Sequence, residues 1–399
     1  MTQQSNILVS ILGTGIYQEV IYRSEDGKQA AKGKYVAKAL HEIFSPDRTF
    51  IIMTEGAKKA HYEELSRAFS FEPVYIPDGK NETEIWEMFS IIANAIPPHC
   101  RLRIDVTHGF RSQPILMLAI SIYLEAVKGV NVSGIVYGAW DAKDPATGIA
   151  PVIELKPFLD LIKWAYATRT FTTTGNASLI TKLIKPIQEE AWKNNELFKP
   201  TQLSNYGSML HKISQALATV RPNEVIQDAL WLQENTNKCI NDVENTQKAA
   251  PFKALLSIIE NRFKPLAVPE GDLFTDTGMA SQEKLVFFYL KAGQYQQAIT
   301  LLRELMVTKI CKQNSLDYIN ERDKAEDYLN DLALQVKEKK QEQAVINENK
   351  KKQAVLWDRI TQIRNDINHA AMRKKPMPSQ SLISGIDEVC MQVVDITWH

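Results

Sequence analysis

The chain is short of several things at once. It has four cysteines in 399 residues (Cys100, Cys239, Cys311, Cys390), all far apart and none in a C-x-x-C pair. That spacing offers neither a disulfide framework nor a zinc site and suits a reducing compartment. It has no long hydrophobic run. The longest, Ile115 to Leu124, is about half of the roughly 20 residues that a membrane helix needs. It has no net charge, because Lys plus Arg and Asp plus Glu are both 47, so overall charge selects no partner. The opening residues, MTQQSNILVSILGTG, carry neither a basic leader nor a cleavage pattern, and the expectation is a cytoplasmic protein without a membrane partner. No HExxH, carboxylate cluster or Cys/His set suggests a metal or other cofactor. What remains is an ordinary soluble composition, 44% apolar and 24% charged, in a chain long enough for two domains.

Residues 1–155 read as α/β. NILVSIL (6–12), TFIIM (49–53), LRIDV (102–106) and VSGIVYG (132–138) are short apolar runs suited to buried parallel strands. Between them lie the amphipathic stretches AAKGKYVAKALHEIF, GAKKAHYEELSRAF and NETEIWEMFSIIANAI. Alternating strands and helices predict right-handed crossovers and a parallel sheet covered on both faces. Each strand ends alike: Gly13-Thr14-Gly15, Thr54-Glu55-Gly56, Thr107-His108-Gly109 and Tyr137-Gly138. Glycine lets a ligand approach the backbone, and free N–H groups suit phosphate. The common edge therefore looks built for an anion, beyond the carboxyl ends of the strands. A nicotinamide dinucleotide fits poorly: the third glycine of G-x-G-x-x-G would fall at Gln18, and a hairpin around Asp26-Gly27 interrupts the helix that should follow. The GTG alone is equally a structural turn, and a lone loop histidine such as His108 is as often a packing group. Thr107 and Arg111 beside a glycine are what tilt His108 toward phosphate or base recognition.

After Pro151 the spacing becomes helical. Residues 156–200 read as a helical connector and 201–399 as an all-α domain, broken near 261–281 by a Pro/Gly-rich surface loop or insertion, NRFKPLAVPEGDLFTDTGMAS. Between Lys337 and Lys375 there are eleven Lys/Arg and five Asp/Glu; such a run is usually a solvated helix face, and otherwise a surface for a phosphate backbone. In LWDRITQIRNDINHAAM (356–372), Leu356, Ile360, Ile363, Ile367 and Ala370 or Ala371 form one apolar stripe. Off the stripe sit Arg364, Asn365, Asn368 and His369, costly choices if only solubility were needed. Five residues advance a helix by about 500°, so Arg364 and His369 point about 140° apart. One straight helix cannot aim both at one atom, whereas two copies across a two-fold axis can.

DVTHGFRS (105–112) resembles the D-x-T-H-G-F-R-S signature of the CRISPR-associated CARF–HEPN proteins of type III systems. LGTGIYQEVIY, TEGAKKAHYEEL, IPDGKNETEIWEMF, VYGAWDA and PFLDLIKWAYATRTFTTTGNASLI follow in the family's order over roughly the first 180 residues, and RNDINH (364–369) resembles the HEPN ribonuclease pattern R-N-x-x-x-H. The resemblance implies a Rossmann-like CARF domain that senses a cyclic oligoadenylate, and an all-α HEPN domain that cuts single-stranded RNA without a metal in antiviral defence. It further implies a homodimer or higher even oligomer. An even ring can lie on the two-fold axis, and the resemblance favours cyclic tetra-adenylate over cyclic hexa-adenylate. Gly13, Thr14, Gly15, Thr107, His108, Gly109 and Arg111 would then lie along the ring, with Thr54 beside them. Arg364 and His369 would be catalytic, with Asn365 in support. Two rivals stand against this: a non-catalytic nucleotide-sensing module whose helical half binds RNA or protein, and an enzyme that cleaves the ring itself.

Overall fold

The computed structural model describes residues 4–269, 271–338, 347–393 and 396. The chain divides into two compact units, one up to Lys163 and one from Trp164 onward. None of the described helices is long and apolar enough to cross a membrane.

The first unit is an α/β sandwich on a sheet of eight strands: β1 Asn6–Leu12, β2 Val20–Arg23, β3 Ala30–Gly33, β4 Arg48–Met53, β5 Glu72–Tyr75, β6 Arg101–Asp105, β7 Asn131–Gly138 and β8 Ile149–Glu154. Their spatial order is β3-β2-β8-β7-β6-β1-β4-β5. The consecutive strands β7, β6, β1, β4 and β5, the last of them the sheet's edge, are mutually parallel. Between them run the helices α1 Val36–Phe44, α2 Glu55–Ala68, α3 Glu82–Ala95 and α4 Ser112–Lys128. One sheet face buries Ile7, Val9, Leu102 and Ile104 with Ile92 of α3 and Ile120 of α4. The other buries Leu8 and Val136 with Leu40 of α1, and Ile51 and Met53 with Leu65 of α2. Strands buried on both sides explain why these four central runs are apolar throughout.

The expected parallel sheet with covered faces is present, with additions at its margins. It is mostly rather than wholly parallel: β2 with β3 and β7 with β8 are antiparallel. The first is the hairpin foreseen at Asp26-Gly27, where Gly27 has φ +70° and Ser24 Oγ donates to Asp26 Oδ1 at 2.7 Å. The second joins strands through a connection too short to hold a crossover helix. Four of the eight strands, β2, β3, β5 and β8, stand outside the four apolar runs. Ala30–Gly33, which reads as the start of a helix, alternates exposed and buried as β3, and the helix begins only at Val36.

The second unit is all-α. α5 Lys156–Thr174 crosses the division between the units, followed by α6 Ser178–Lys193, α7 Leu203–Ala218, α8 Pro222–Glu244, α9 Ala250–Phe263, α10 Asp276–Lys291, α11 Tyr295–Gln313, α12 Arg322–Glu338, α13 Glu348–Asn368 and α14 Ser379–Gln392. Phe171, Ile180 and Ile184 share one core with Tyr206, Phe252, Leu302, Trp357 and Ile386, so α5 and α6 contribute to the helical core where a connector was expected. The expected insertion at 261–281 shrinks as well. α9 runs to Phe263, a single 3-10 turn follows, and Thr275 caps α10 by accepting the Gly278 N–H. Leu266 and Val268 are buried, and Ser281 Oγ donates to the Leu266 carbonyl, so this segment is packed. Its Pro and Gly residues mark a tight connection. Part of the basic run, 339–346, lies outside the described residues.

The stripe on α13 is buried as its spacing predicts, with Leu356, Ile360 and Ile363 each at most 1% exposed, while Ile367 is partly covered and Ala370 and Ala371 are exposed beyond the helix end. Ile360→Ala should cost about 2–5 kcal/mol of stability, measured by urea unfolding of the purified chain. A loss below about 0.5 kcal/mol, the scale of an inconsequential surface change, would show that α13 is not held by this stripe.

Candidate functional site

The carboxyl ends of the parallel strands open into a pocket of about 240 Å³. Seven of the eight residues expected there line it: Gly13, Thr14 and Gly15 after β1, Thr54 after β4, and Thr107, His108 and Gly109 after β6. The eighth, Arg111, is exposed at the N-cap of α4 and is not part of the lining. The backbone N–H groups of Thr14, Gly15, His108 and Gly109 donate to no acceptor among the described residues. Donors in consecutive loop residues, beside the N-terminal ends of α2 and α4, make a concavity suited to an anion.

The loop after β6 is held by Asp105, the last residue of that strand and fully buried. Its carboxylate accepts from Ser10 Oγ on β1, from Thr107 Oγ1, and from the Thr107 N–H at 2.9 Å. Thr107 Oγ1 in turn accepts the Gly138 N–H of β7 at 2.7 Å. One carboxylate and one hydroxyl thus tie the ends of three strands together. Burial pushes the Asp105 pKa up to about 6, against the opposing pull of its hydroxyl and amide donors. The Thr107 hydroxyl is consequently spent on the fold, and what it offers the pocket is its position. Thr54 is similar: its Oγ1 caps α2 by accepting the Ala57 N–H at 3.3 Å.

Tyr17 and Gln113, not foreseen from the sequence, complete the pocket wall, and His61 and Tyr35 brace it from outside the lining. Tyr17 lies 4.3 Å from His108 and 4.8 Å from His61, ring centre to ring centre, and its hydroxyl accepts the Gly13 N–H at 2.9 Å. His61 Nε2 lies 2.9 Å from the Gly15 carbonyl, bracing the first loop from α2. Tyr35 donates to Glu64 at 2.9 Å and approaches His61 Nδ1 at 3.3 Å, while Lys34 pairs with Glu64 at 2.6 Å. Gln113 closes the third loop by accepting the Phe110 N–H at 3.1 Å. Burial, with a smaller push from His61, lowers the His108 pKa to about 4. Its Nε2 is buried without a hydrogen-bond partner among the described residues. His108 is thus a neutral, uncommitted imidazole facing the pocket. Gly109 has φ +109°, and a Cβ there would come within 2.1 Å of Gln113 Oε1, so no other residue fits without moving the loop.

A second cluster closes α13. Arg364 is half-buried, its Nη1 3.5 Å from Asn365 Oδ1 and its Nε without a partner among the described residues. His369 is exposed and stands just past the helix, at the C-cap. Ala370 and Ala371 both adopt left-handed backbone, φ 49° and 61°, reversing the chain immediately afterwards. Asp366, which the sequence reading passed over, anchors that reversal. It is buried, pairs with Arg373 at 3.4 Å and accepts the Met377 N–H at 3.3 Å. Among the described residues no group of three or more His, Cys, Asp or Glu could hold a metal ion.

Residues 7–141 match the family described as the CARF domain of the CRISPR system endoribonuclease Csx1. Residues 160–267 match the family described as the second domain of CRISPR-associated protein MJ1674. The chain is 30% identical over 147 residues to CRISPR-associated protein MJ1674 of Methanocaldococcus jannaschii, a stretch covering 36% of this chain and 23% of that protein. The chain therefore spans about a quarter of this relative's length.

Asp105 and His108 titrate in one pH window with opposite signs. Asp105, raised to about 6, binds a proton in the folded state that the unfolded chain has already lost, so its contribution falls as pH rises from about 4 to 6. His108, lowered to about 4, stays neutral where the unfolded chain is protonated, so its contribution rises with pH from about 4 to 6.5. Each is on the order of a few kcal/mol, and the two oppose one another. Thermal unfolding from pH 4 to 7 should therefore show His108→Gln gaining stability relative to wild type on acidification and Asp105→Asn losing it. Parallel pH profiles for all three proteins would contradict these ionisation states.

Proposed function

Because the N-terminal unit is a CARF domain of a CRISPR-associated protein, we propose that this chain is an RNA endonuclease switched on by a cyclic oligoadenylate bound at the carboxyl edge of the sheet. The observation that carries the reading is the pocket itself: uncommitted N–H donors from two glycine-containing loops, a neutral imidazole and two helix N-termini, converging where a phosphate–sugar ring needs them. Adenine is bound by stacking and neutral hydrogen bonds, which the Tyr17–His108 wall supplies without a charge cost.

A second copy of the chain completes the arrangement. The outer faces of α3 and α4 leave Trp86 62% and Ile115 72% exposed, together with Ile85, Tyr123 and Val127, and Phe110 in the loop before α4 is exposed as well. That apolar surface flanks the pocket, since Phe110 lines it. Pairing two copies over this face sets two pockets side by side across a two-fold axis, so that a ring with an even number of adenylates meets the same residues twice. Four adenylates are favoured and six are the alternative. Ring binding then shifts the pair toward the cutting state by its differential affinity for that state.

Cutting falls to Arg364, Asn365 and His369. RNA carries its own nucleophile in the 2′-hydroxyl, so the protein needs to supply positioning, proton transfer and charge stabilisation. His369, exposed at a helix end, takes the 2′-proton or gives one to the leaving 5′-oxygen. Arg364 offers an uncommitted Nε–H to the phosphorane oxygens, and Asn365 holds its guanidinium. The products are a 2′,3′-cyclic phosphate and a 5′-hydroxyl. Since helical spacing separates Arg364 from His369, the working site draws on both copies.

One observation favours a second activity at the first pocket. His108 Nε2, buried and neutral, is placed to accept the 2′-proton of a bound ring, which would open it and end the signal.

In the presence of a chelator, cyclic tetra-adenylate should switch on cleavage of a generic single-stranded RNA, and His369→Ala or Arg364→Ala should lower the rate about a hundred- to ten-thousandfold. Activity indifferent to every cyclic oligoadenylate, or intact in His369→Ala, would reject the reading. Linear adenylates appearing with wild type and not with His108→Ala would establish ring opening.

A further inference from the structure

A second polar pocket, of about 300 Å³, lies at the opposite end of the same sheet, by the amino ends of β1 and β6. Its walls include Asn6, Gln29, Phe44, Arg101, Arg103 and Ser133. Arg101 and Arg103 are two apart on β6 and so share the face that α1 covers. Arg103 is only partly exposed and its guanidinium carbon lies over the Phe44 ring, 3.8 Å from its centre. Neither arginine forms an ion pair or side-chain hydrogen bond among the described residues. A half-buried guanidinium ordinarily has a carboxylate partner, because desolvating an unpaired charge is costly.

Two carboxylates are near. Glu154 faces Arg103 across Gly134, where a Cβ would come within 2.7 Å of Glu154 Oε2 and 3.2 Å of Arg103 Nε. Glu154 Oε1 is occupied by the Ile135 N–H at 2.8 Å and the Lys156 N–H at 3.2 Å, and no ion pair with Arg103 results. Asp47 accepts the Asn6 N–H at 2.6 Å. Ser133 Oγ donates to the Leu102 carbonyl at 3.1 Å, leaving it only acceptor capacity. The donors that remain uncommitted are the two guanidinium groups and the side-chain amides of Asn6 and Gln29. A cavity walled by two arginines and two amides, in which Glu154 attracts Arg103 without pairing with it and no carboxylate pairs with either guanidinium, is chemically complementary to a phosphate group.

We propose that this pocket is a second anion site, distinct from the one at the carboxyl edge, that takes a phosphate group between Arg101 and Arg103. The inference stands on its own geometry and holds whether or not the opposite edge binds a cyclic nucleotide. The source of the phosphate is either a small inorganic anion or the terminal phosphate of a mononucleotide. Calorimetric titration of the full chain with pyrophosphate and, separately, with 5′-AMP, in chloride buffer, distinguishes them. Equal affinity assigns the site to phosphate as such, and tighter binding of 5′-AMP assigns it to a nucleotide. In either case Arg101→Gln, an exposed position whose replacement spares the core, should weaken binding about tenfold or more. Arg101→Gln combined with Arg103→Gln should abolish the binding that persists in His108→Ala, and His108→Ala alone should leave the binding at this site unchanged. Absence of saturable binding of both probes at millimolar concentration, unaltered affinity in Arg101→Gln, or loss of binding in His108→Ala would overturn the proposal.

Discussion

The carboxylate of Asp105, sealed at the end of β6, is the constraint on which the first unit's architecture turns. It collects a hydroxyl from β1, then a hydroxyl and an N–H from Thr107, and through Thr107 it reaches the backbone of β7. A buried carboxylate is unfavourable unless its lone pairs are filled. Here they are filled by the groups whose positions matter, so the desolvation cost is offset by fixing three strand ends in one register. With the strand ends fixed, the loops between them cannot collapse onto the sheet. Their N–H groups stay directed outward, and Gly13 and Gly109 approach so closely that a Cβ on Gly13 would meet the Gly109 nitrogen at 3.0 Å.

The two polar clusters, at the sheet edge and at the end of α13, follow one pattern. In each, a buried acid with no part in the proposed chemistry holds a turn, and the residues with chemical potential sit just beyond it. Asp105 fixes the loop bearing His108; Asp366 fixes the reversal that follows His369. In both places a side chain capable of ligand or proton chemistry has an unused nitrogen, His108 Nε2 in the first and Arg364 Nε in the second. Rigid support with an uncommitted terminal group is the arrangement expected where a fold is organised for binding or catalysis rather than for its own stability.

Much of the α/β unit can be read from the residues alone because its central strands are buried on both faces and so are continuously apolar. The edge strands are not: Ala30–Gly33 and Glu72–Tyr75 are short and half-exposed; the interior strand β8 contains Pro151, which reads as an end rather than a strand interior. The pocket's location was legible from the repeated small residues at strand ends. How each hydroxyl is used was not, because a threonine that caps a helix and one that touches a ligand look alike in a sequence. Thr54 and Thr107 both turn out to have their oxygens engaged by the fold. His61 carried a signal: seven residues after Thr54, it returns to the same helix face and so to the first loop, where it meets the Gly15 carbonyl. Asp105 and Asp366 carried one too, as acids set within otherwise apolar patterns. In the helical unit the stripe on α13 was plain, whereas the packed connection around Leu266 and Val268 resembled a loop because proline and glycine mark tight turns and open loops alike.

The account stands or falls on whether the carboxyl edge of the sheet receives a ring shared between two chains. The most direct measurement is the stoichiometry and affinity of cyclic tetra-adenylate for the purified full chain, by calorimetry with the mass of the complex determined in parallel. One ring bound per two chains, with binding lost when Gly109 is replaced by alanine in a protein that remains folded, is the predicted result. A ring bound to each single chain, or no binding at all to folded protein, would contradict it.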